Sequence, residues 1–257
     1  IALGALQGAT EFLPVSSSGH LALAQSMISG FSQPGVLFDV LLHVGTMIAD
    51  MIYFWKDIRD LATAPFRKDE AAKMHRKMLL LLIAGSVPTA IIGLTGKDFA
   101  TGLFHNIPVV AAMLLVTGAI LFISERLRKG EGKKDIGMVD ALLTGVAQGL
   151  AIIPGISRSG STIACLLLRG VDGETAARFS FLLAMPAIFG ATLLSLDDLQ
   201  RVSSDQLTNY ILGTGASLVI GLLSIHFLLA IIRRKRLYFF ALYCWAVGAL
   251  FLTLSFT

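Results

Sequence analysis

Five stretches of this chain, 36–55, 78–95, 107–123, 210–232 and 238–255, are apolar for close to the roughly 20 residues that an α-helix needs to cross about 30 Å of hydrocarbon. A sixth, 179–196, is equally apolar although Pro186 and Gly190 interrupt it. Composition agrees with a membrane protein. Of 257 residues, 55% are hydrophobic and only 15% charged, where a soluble chain carries about a quarter charged; mean hydropathy is +0.76. Disorder, a collagen-like fibre and a disulfide scaffold are excluded. Cys165 and Cys244 both sit in apolar stretches, so no structural disulfide is expected. The excess of 21 Lys and Arg over 17 Asp and Glu does not point to nucleic acid, because the basic residues form short blocks between apolar runs. The chain opens at Ile1 with no Met and no separate signal peptide, directly on a motif, which reads as a missing start.

Two further regions, 1–28 and 138–168, have an apolar flank, a Ser/Gly/Pro stretch and a second apolar flank. Neither flank is long enough to cross alone, and non-helical backbone at membrane depth is tolerated only inside protein or beside a water-filled cavity. Both read as re-entrant helix–loop–helix hairpins. Charge tests the count. Lys56, Arg59, Arg67, Lys68, Lys73, Arg76 and Lys77 follow the first span. Arg126, Arg128, Lys129, Lys133 and Lys134 follow the third, and Arg233, Arg234, Lys235 and Arg236 the fifth. The alternate loops carry only Lys97 and Arg201. This asymmetry puts the ends of the first, third and fifth spans in the cytoplasm. The first hairpin then enters from outside and the second from the cytoplasm.

The chain also repeats itself. At an offset of 141, Gly4, Gln7, Gly8, Ser16, Ser18 and Gly19 fall on Gly145, Gln148, Gly149, Ser157, Ser159 and Gly160, and Phe38, Leu41 and Leu42 on Phe179, Leu182 and Leu183. The expected architecture is a single all-α polytopic membrane domain, 1–257, with six transmembrane helices and two re-entrant hairpins. Residues 1–130 form the first repeat and 138–257 the second, each a hairpin with three spans. Three is odd, so the second repeat is inverted, and inverted repeats bring paired discontinuous helices together near the midplane.

The two loops differ in chemistry. The first runs from Gln7 through Glu11, Pro14, Ser16, Ser17, Ser18 and Gly19 to His20. A carboxylate, three hydroxyls and an imidazole are costly inside a bilayer, and intramembrane ionisable groups mark functional sites. The second runs from Pro154 and Gly155 through Ser157, Arg158, Ser159, Gly160 and Ser161 to Thr162. An arginine fork, hydroxyls and the positive ends of half-helices suit phosphate. Together they suggest attack on a phosphate group held within the membrane. Arg158, Ser157, Ser159 and Thr162 would neutralise the phosphoryl oxygens. Either Ser17 or Ser16 attacks, with His20 taking the proton, or Glu11 or His20 activates water directly, through a divalent cation if one grips the diphosphate. Ser18 and Ser161 also fit a role in helix packing. Asp39, His43 and Asp50 recur at helical spacing in the first span; they line the cavity or a proton path, or bond one another. Asp39 and His43 best suit holding the residues that touch substrate. Glu174 and Arg178 are spaced for a local ion pair.

The run Gln7-Gly8 to Glu11-Phe-Leu-Pro-Val-Ser-Ser-Ser-Gly-His20, paired with Pro154-Gly-Ile-Ser-Arg-Ser-Gly160-Ser-Thr162, resembles the undecaprenyl-pyrophosphate phosphatase family of the BacA/UppP type over nearly the whole chain. The resemblance implies a multi-pass enzyme of the bacterial inner membrane that hydrolyses undecaprenyl diphosphate to the monophosphate carrier lipid of cell-wall synthesis, with a link to bacitracin resistance. It implies a site facing the outer leaflet and dependence on Mg²⁺ or Ca²⁺. Glu11, Ser17, His20, Arg158 and Thr162 match the family's proposed catalytic positions. Gln7, Ser16, Ser18, Ser157, Ser159, Gly160 and Thr162 are the candidate substrate-binding residues, and Glu11 the candidate metal ligand. Many members carry Glu where this chain has Gln7; a neutral amide binds a cation more weakly, so Glu11 and the substrate's own oxygens must supply most of the negative ligands. The expected partners are the polyprenyl diphosphate and the bilayer, not nucleic acid, and a homodimer is compatible. The rival is a transporter or flippase for a polyprenyl phosphate lipid, which needs Arg158 and the loop dipoles but no nucleophile.

Overall fold

The computed structural model describes residues 1–31, 33, 36–127, 132–195, 197, 204–233 and 236–256. Among them the chain is helical, with no strand beyond one isolated bridge between Lys133 and Val171. The helices are α1 (Ala2–Glu11), α2 (Ser17–Ser26), α3 (Leu37–Tyr53), α4 (Trp55–Thr63), α5 (Glu70–Leu103), α6 (Ile107–Leu127), α7 (Met138–Leu150), α8 (Arg158–Leu168), α9 (Gly173–Leu194), α10 (Ser204–Arg233) and α11 (Tyr238–Leu254).

Four of these, α5, α6, α9 and α10, are long and apolar enough to cross a membrane. A fifth span results if α3 and α4 are one bent crossing, but their axes differ by 76° across Phe54. The expected run 36–55 therefore ends earlier than its hydropathy suggests, and α11, with 17 residues, is short for a crossing. The run 78–95 lies within the 34 residues of α5, whose first turns carry Lys73, Arg76 and Lys77. Pro88 and Pro186 sit inside α5 and α9 without ending them. Leu80, Ile83, Val87, Ile91 and Leu94 form an exposed apolar stripe on α5, at the three- and four-residue spacing of one helix face. In water such a stripe would be a liability; in acyl chains it is solvent-matched.

Both interrupted regions are short helix pairs, α1–α2 and α7–α8, as their lengths require. Their packing is reciprocal: α1 lies along α10 and α7 along α5. Each contact relies on glycine. A Cβ on Gly4 would collide with the Gly213 carbonyl, and one on Gly145 with that of Gly85. These two glycines are related by the offset of 141. Close approach through small residues is how helices associate where no water is available to drive them together. The bundle centre is apolar and aromatic: the Phe12 and Phe181 rings meet edge to face at 5.4 Å, with Phe54 6.0 Å from Phe181.

One end of the molecule is charged. Lys133 and Arg169 both pair with buried Asp140, which also accepts from the Gly137 N–H at the start of α7. Lys77 reaches Asp135 at 2.6 Å, and Arg178 reaches Asp57 on α4 at 2.7 Å. The expected Glu174 partner is farther from Arg178, at 4.0 Å, because Asp57 presents itself across the helix interface. Of the basic residues named above, Arg128, Lys129, Arg201, Arg234 and Lys235, and the side chain of Arg233, lie outside the described residues.

Candidate active site

The two hairpin loops meet. Ser159 Oγ donates to the Leu13 carbonyl at 3.2 Å. A Cβ on Gly19 would lie 3.0 Å from the Gly155 Cα, and one on Gly160 3.4 Å from the Pro14 Cβ. Residues about 140 positions apart are thus in van der Waals contact, and only glycine lets the backbones close so tightly. Thr117 on α6 braces the second loop, donating to the Gly155 carbonyl at 2.7 Å and accepting from the Ser157 N–H at 3.0 Å; Gly155 itself has φ +94°.

Each loop ends by capping a helix in the same way. Ser16 Oγ accepts from the Gly19 N–H at 3.2 Å, and Ser157 Oγ from the Gly160 N–H at 3.0 Å. These are serine N-caps three residues from their donors. Ser16 and Ser18 hydroxyls lie 3.3 Å apart, as do those of Ser157 and Ser159. The first residues inside the two caps are Ser17 and Arg158. Both therefore stand at helix N-termini, where unpaired N–H groups and the helix dipole favour negative charge.

Between them lies Glu11, at the end of α1 and almost fully buried. Its Oε1 accepts from Arg158 Nη2 at 2.5 Å. Its Oε2 accepts from Ser17 Oγ at 2.6 Å and from Gln7 Nε2 at 2.9 Å, with His43 Nε2 3.3 Å away. One carboxylate thus gathers a hydroxyl, a guanidinium, an amide and an imidazole from α1, α2, α3 and α8. A carboxylate accepting a serine proton can hand that serine to an electrophile as an alkoxide-like nucleophile, and an adjacent guanidinium can hold phosphoryl oxygens.

Several candidate residues are placed differently from their sequence expectation. His20 does not face Ser17. Its Nδ1 is 2.8 Å from the Ser16 carbonyl and its Nε2 2.8 Å from the Tyr243 hydroxyl, because position 20 is one turn along α2 from Ser16 and its ring turns back onto that carbonyl. The group on Ser17 is Glu11. Thr162 hydrogen-bonds the Ser180 hydroxyl at 2.5 Å and donates to the Arg158 carbonyl at 2.8 Å, so it secures the first turn of α8 to α9. Asp39 does not bond His43 through its side chain; its carboxylate takes Gln25 and Gln33, while its backbone carbonyl takes His43 Nδ1. Tyr243 and Thr117 were not legible as site residues: each comes from an apolar helix with no motif around it. His43 carried a signal, its helical spacing from Asp39.

Three buried polar atoms here have no partner among the described residues: Gln7 Oε1, Arg158 Nη1 and Asp50 Oδ1. Among the described residues no three His, Cys, Asp or Glu side chains converge as a ready metal cage. Gln7 Oε1 and the Glu11 carboxylate nevertheless share one face of α1, and two protein oxygens fit a cation that takes its remaining ligands from diphosphate and water.

A model of the family described as bacitracin resistance protein BacA matches residues 1–250. The undecaprenyl-diphosphatase of Syntrophotalea carbinolica is 59% identical over 256 residues, covering 99% of this chain and 97% of the relative. That of Halothermothrix orenii is 46% identical over 258 residues, covering 99% and 96%. That of Desulforapulum autotrophicum is 44% identical over 262 residues, covering 96% and 94%.

Proposed function

The chain belongs to the BacA family, and from that premise we propose the route by which it hydrolyses undecaprenyl diphosphate to undecaprenyl phosphate and inorganic phosphate. The observation that carries the site assignment is the meeting of Ser17 and Arg158 on one buried carboxylate. Ser17 Oγ attacks the terminal phosphorus, and Glu11 Oε2 takes the hydroxyl proton. The bond from that phosphorus to the bridging oxygen breaks, and undecaprenyl phosphate leaves with the electron pair. Water then attacks the phosphoserine, the P–Oγ bond breaks, Glu11 returns its proton to Ser17 Oγ, and inorganic phosphate departs carrying the water oxygen and its protons. Little covalent work is needed in such a transfer; positioning and charge neutralisation carry it. Arg158 serves the second need, since its Nη1 is buried with no partner among the described residues and lies ready for a phosphoryl oxygen. The N-termini of α2 and α8 add their N–H groups.

Glu11 and Gln7 would hold a divalent cation, which when bound supplies charge neutralisation on the diphosphate. The architecture is six crossings and two re-entrant hairpins in an inverted repeat, with the short α3 and α11 completing the crossings. The reciprocal packing of α1 on α10 and α7 on α5 and the matched serine caps support it. The site opens toward the outer leaflet, a reading supported by the clustering of basic side chains at the end opposite the mouth of the first hairpin.

Phosphate release by purified protein in detergent tests this reading, because no leaflet difference exists there for a transporter to act on. Wild-type protein releases phosphate from undecaprenyl diphosphate and Ser17→Ala does not. Retention of near-full release by Ser17→Ala overturns the nucleophile assignment.

A further inference from the structure

We infer that Tyr243, on α11, is a positioning residue for the reaction, acting through His20 and the Ser16 backbone on the nucleophile. The inference rests on the reading of Ser17 given above. Ser16 is the only non-glycine residue with positive φ among the described residues, at φ 70° and ψ 88°. A side chain in that region is strained, and such strain persists only where the surroundings hold it. What holds it is visible. The Ser16 carbonyl accepts from the His20 backbone N–H at 3.1 Å and from His20 Nδ1 at 2.8 Å. A carbonyl only accepts, so the ring proton of His20 sits on Nδ1, and Nε2 is the acceptor for the Tyr243 hydroxyl at 2.8 Å. The two rings are also nearly parallel, 6° apart with centroids 5.5 Å from each other. Next along α11, Cys244 packs against the same loop, 3.9 Å from the Pro14 carbonyl.

The result is a strut running Tyr243, His20, Ser16 carbonyl, with Ser17 as the next residue in the chain. Tyr243 fixes the ring orientation and tautomer of His20. His20 fixes the left-handed turn at Ser16, and that turn aims Ser17 Oγ at Glu11. Without the tyrosine hydroxyl, His20 is free to rotate about its χ angles or to move its proton to Nε2. The Ser16 carbonyl then loses one of its two donors.

The experiment compares Tyr243→Phe, His20→Ala, the double variant and Ser17→Ala in steady-state phosphate release from undecaprenyl diphosphate, with thermal unfolding of each. Tyr243 is 44% exposed on the bundle surface, so phenylalanine leaves the fold intact. Tyr243→Phe should lower kcat about tenfold, the scale of one hydrogen bond lost, with KM and unfolding temperature unchanged. In the His20→Ala background the same substitution should change kcat by less than about twofold, because the residue it acts through is gone. A Tyr243→Phe variant with wild-type kcat, one that raises KM instead, or one whose effect multiplies fully with His20→Ala overturns the strut while leaving the phosphatase reading standing. If Ser17→Ala keeps its activity, the nucleophile reading fails and the strut falls with it.

Discussion

Glu11 is the residue on which the site's charges balance. Its two oxygens face opposite demands: one accepts from the Arg158 guanidinium and the other from the Ser17 hydroxyl, which on the proposed route receive substrate and act as nucleophile. Glu11→Gln removes both at once while preserving shape. The expected loss in kcat/KM is at least about 10³-fold, since base catalysis and preorganised charge each contribute about two orders of magnitude or more. The variant should also unfold at lower temperature, because Arg158 would lose the buried carboxylate it is hydrogen-bonded to. Steady-state phosphate release and a detergent unfolding scan check both parts. Arg158→Lys should recover little of the activity lost in Arg158→Ala, because an ammonium cannot hold Glu11 and a phosphoryl oxygen through one planar fork. These groups were legible in the sequence because ionisable and hydroxyl side chains inside apolar hairpins have few structural excuses. Which group meets which was not. His20 is three residues from Ser17 in the chain, yet helical geometry sends its ring to Ser16 and Tyr243, whereas Glu11, six residues away and across a loop, reaches the hydroxyl.

The hairpins work as elements because they are held from outside. Isolated helices of 10 to 13 residues are marginal, so α1, α2, α7 and α8 depend on neighbours that approach through glycine. Gly145→Val should force α7 away from the Gly85 carbonyl and lower stability by about 1 to 3 kcal/mol, the usual range for overpacking. Thr117→Val should cost activity more than stability, because its hydroxyl ties the Gly155 carbonyl and the Ser157 N–H and so sets where Arg158 begins its helix. Thermal unfolding read beside phosphate release separates the two cases. The two interrupted apolar regions announced the short helix pairs, and a serine cap recurs at the same place in both. The place where the first span ends was legible to within two residues, but the 76° turn at Phe54 was hidden, because hydropathy measures transfer, not direction. The same limit kept Thr117 and Tyr243 out of view, since a hydroxyl in an apolar helix gains meaning only from the element packed against it.

At the scale of the whole molecule, the proposed orientation rests on the charged end. Lys77, Lys133, Arg169 and Arg178 are tied into ion pairs that span α4, α5, α7, α8 and α9, while the far end, around Asn106 between α5 and α6, carries few charges. Translocation retains clustered Lys and Arg on the cytoplasmic side, so in the orientation proposed above the mouth of the first hairpin faces outward and the diphosphate would reach Ser17 from the outer leaflet. Both native cysteines lie within apolar helices, which allows single reporter cysteines to be read against a low background. In intact cells a membrane-impermeant maleimide should label Asn106→Cys and spare Lys68→Cys until the cells are opened. The reverse pattern would put the site on the cytoplasmic side and reverse the assigned direction of substrate entry. Chelation supplies the complementary reading of the same charge distribution. On the proposed reading Glu11 bonds Ser17, Gln7 beside it is neutral and Arg158 is the guanidinium that meets Glu11, so a bound cation would have to share in offsetting the diphosphate's negative charge. Removing divalent cations should therefore raise KM and lower kcat together, and Mg²⁺ or Ca²⁺ should restore both. Activity that is indifferent to chelator would mean that Arg158 and the two helix N-termini neutralise the substrate unaided.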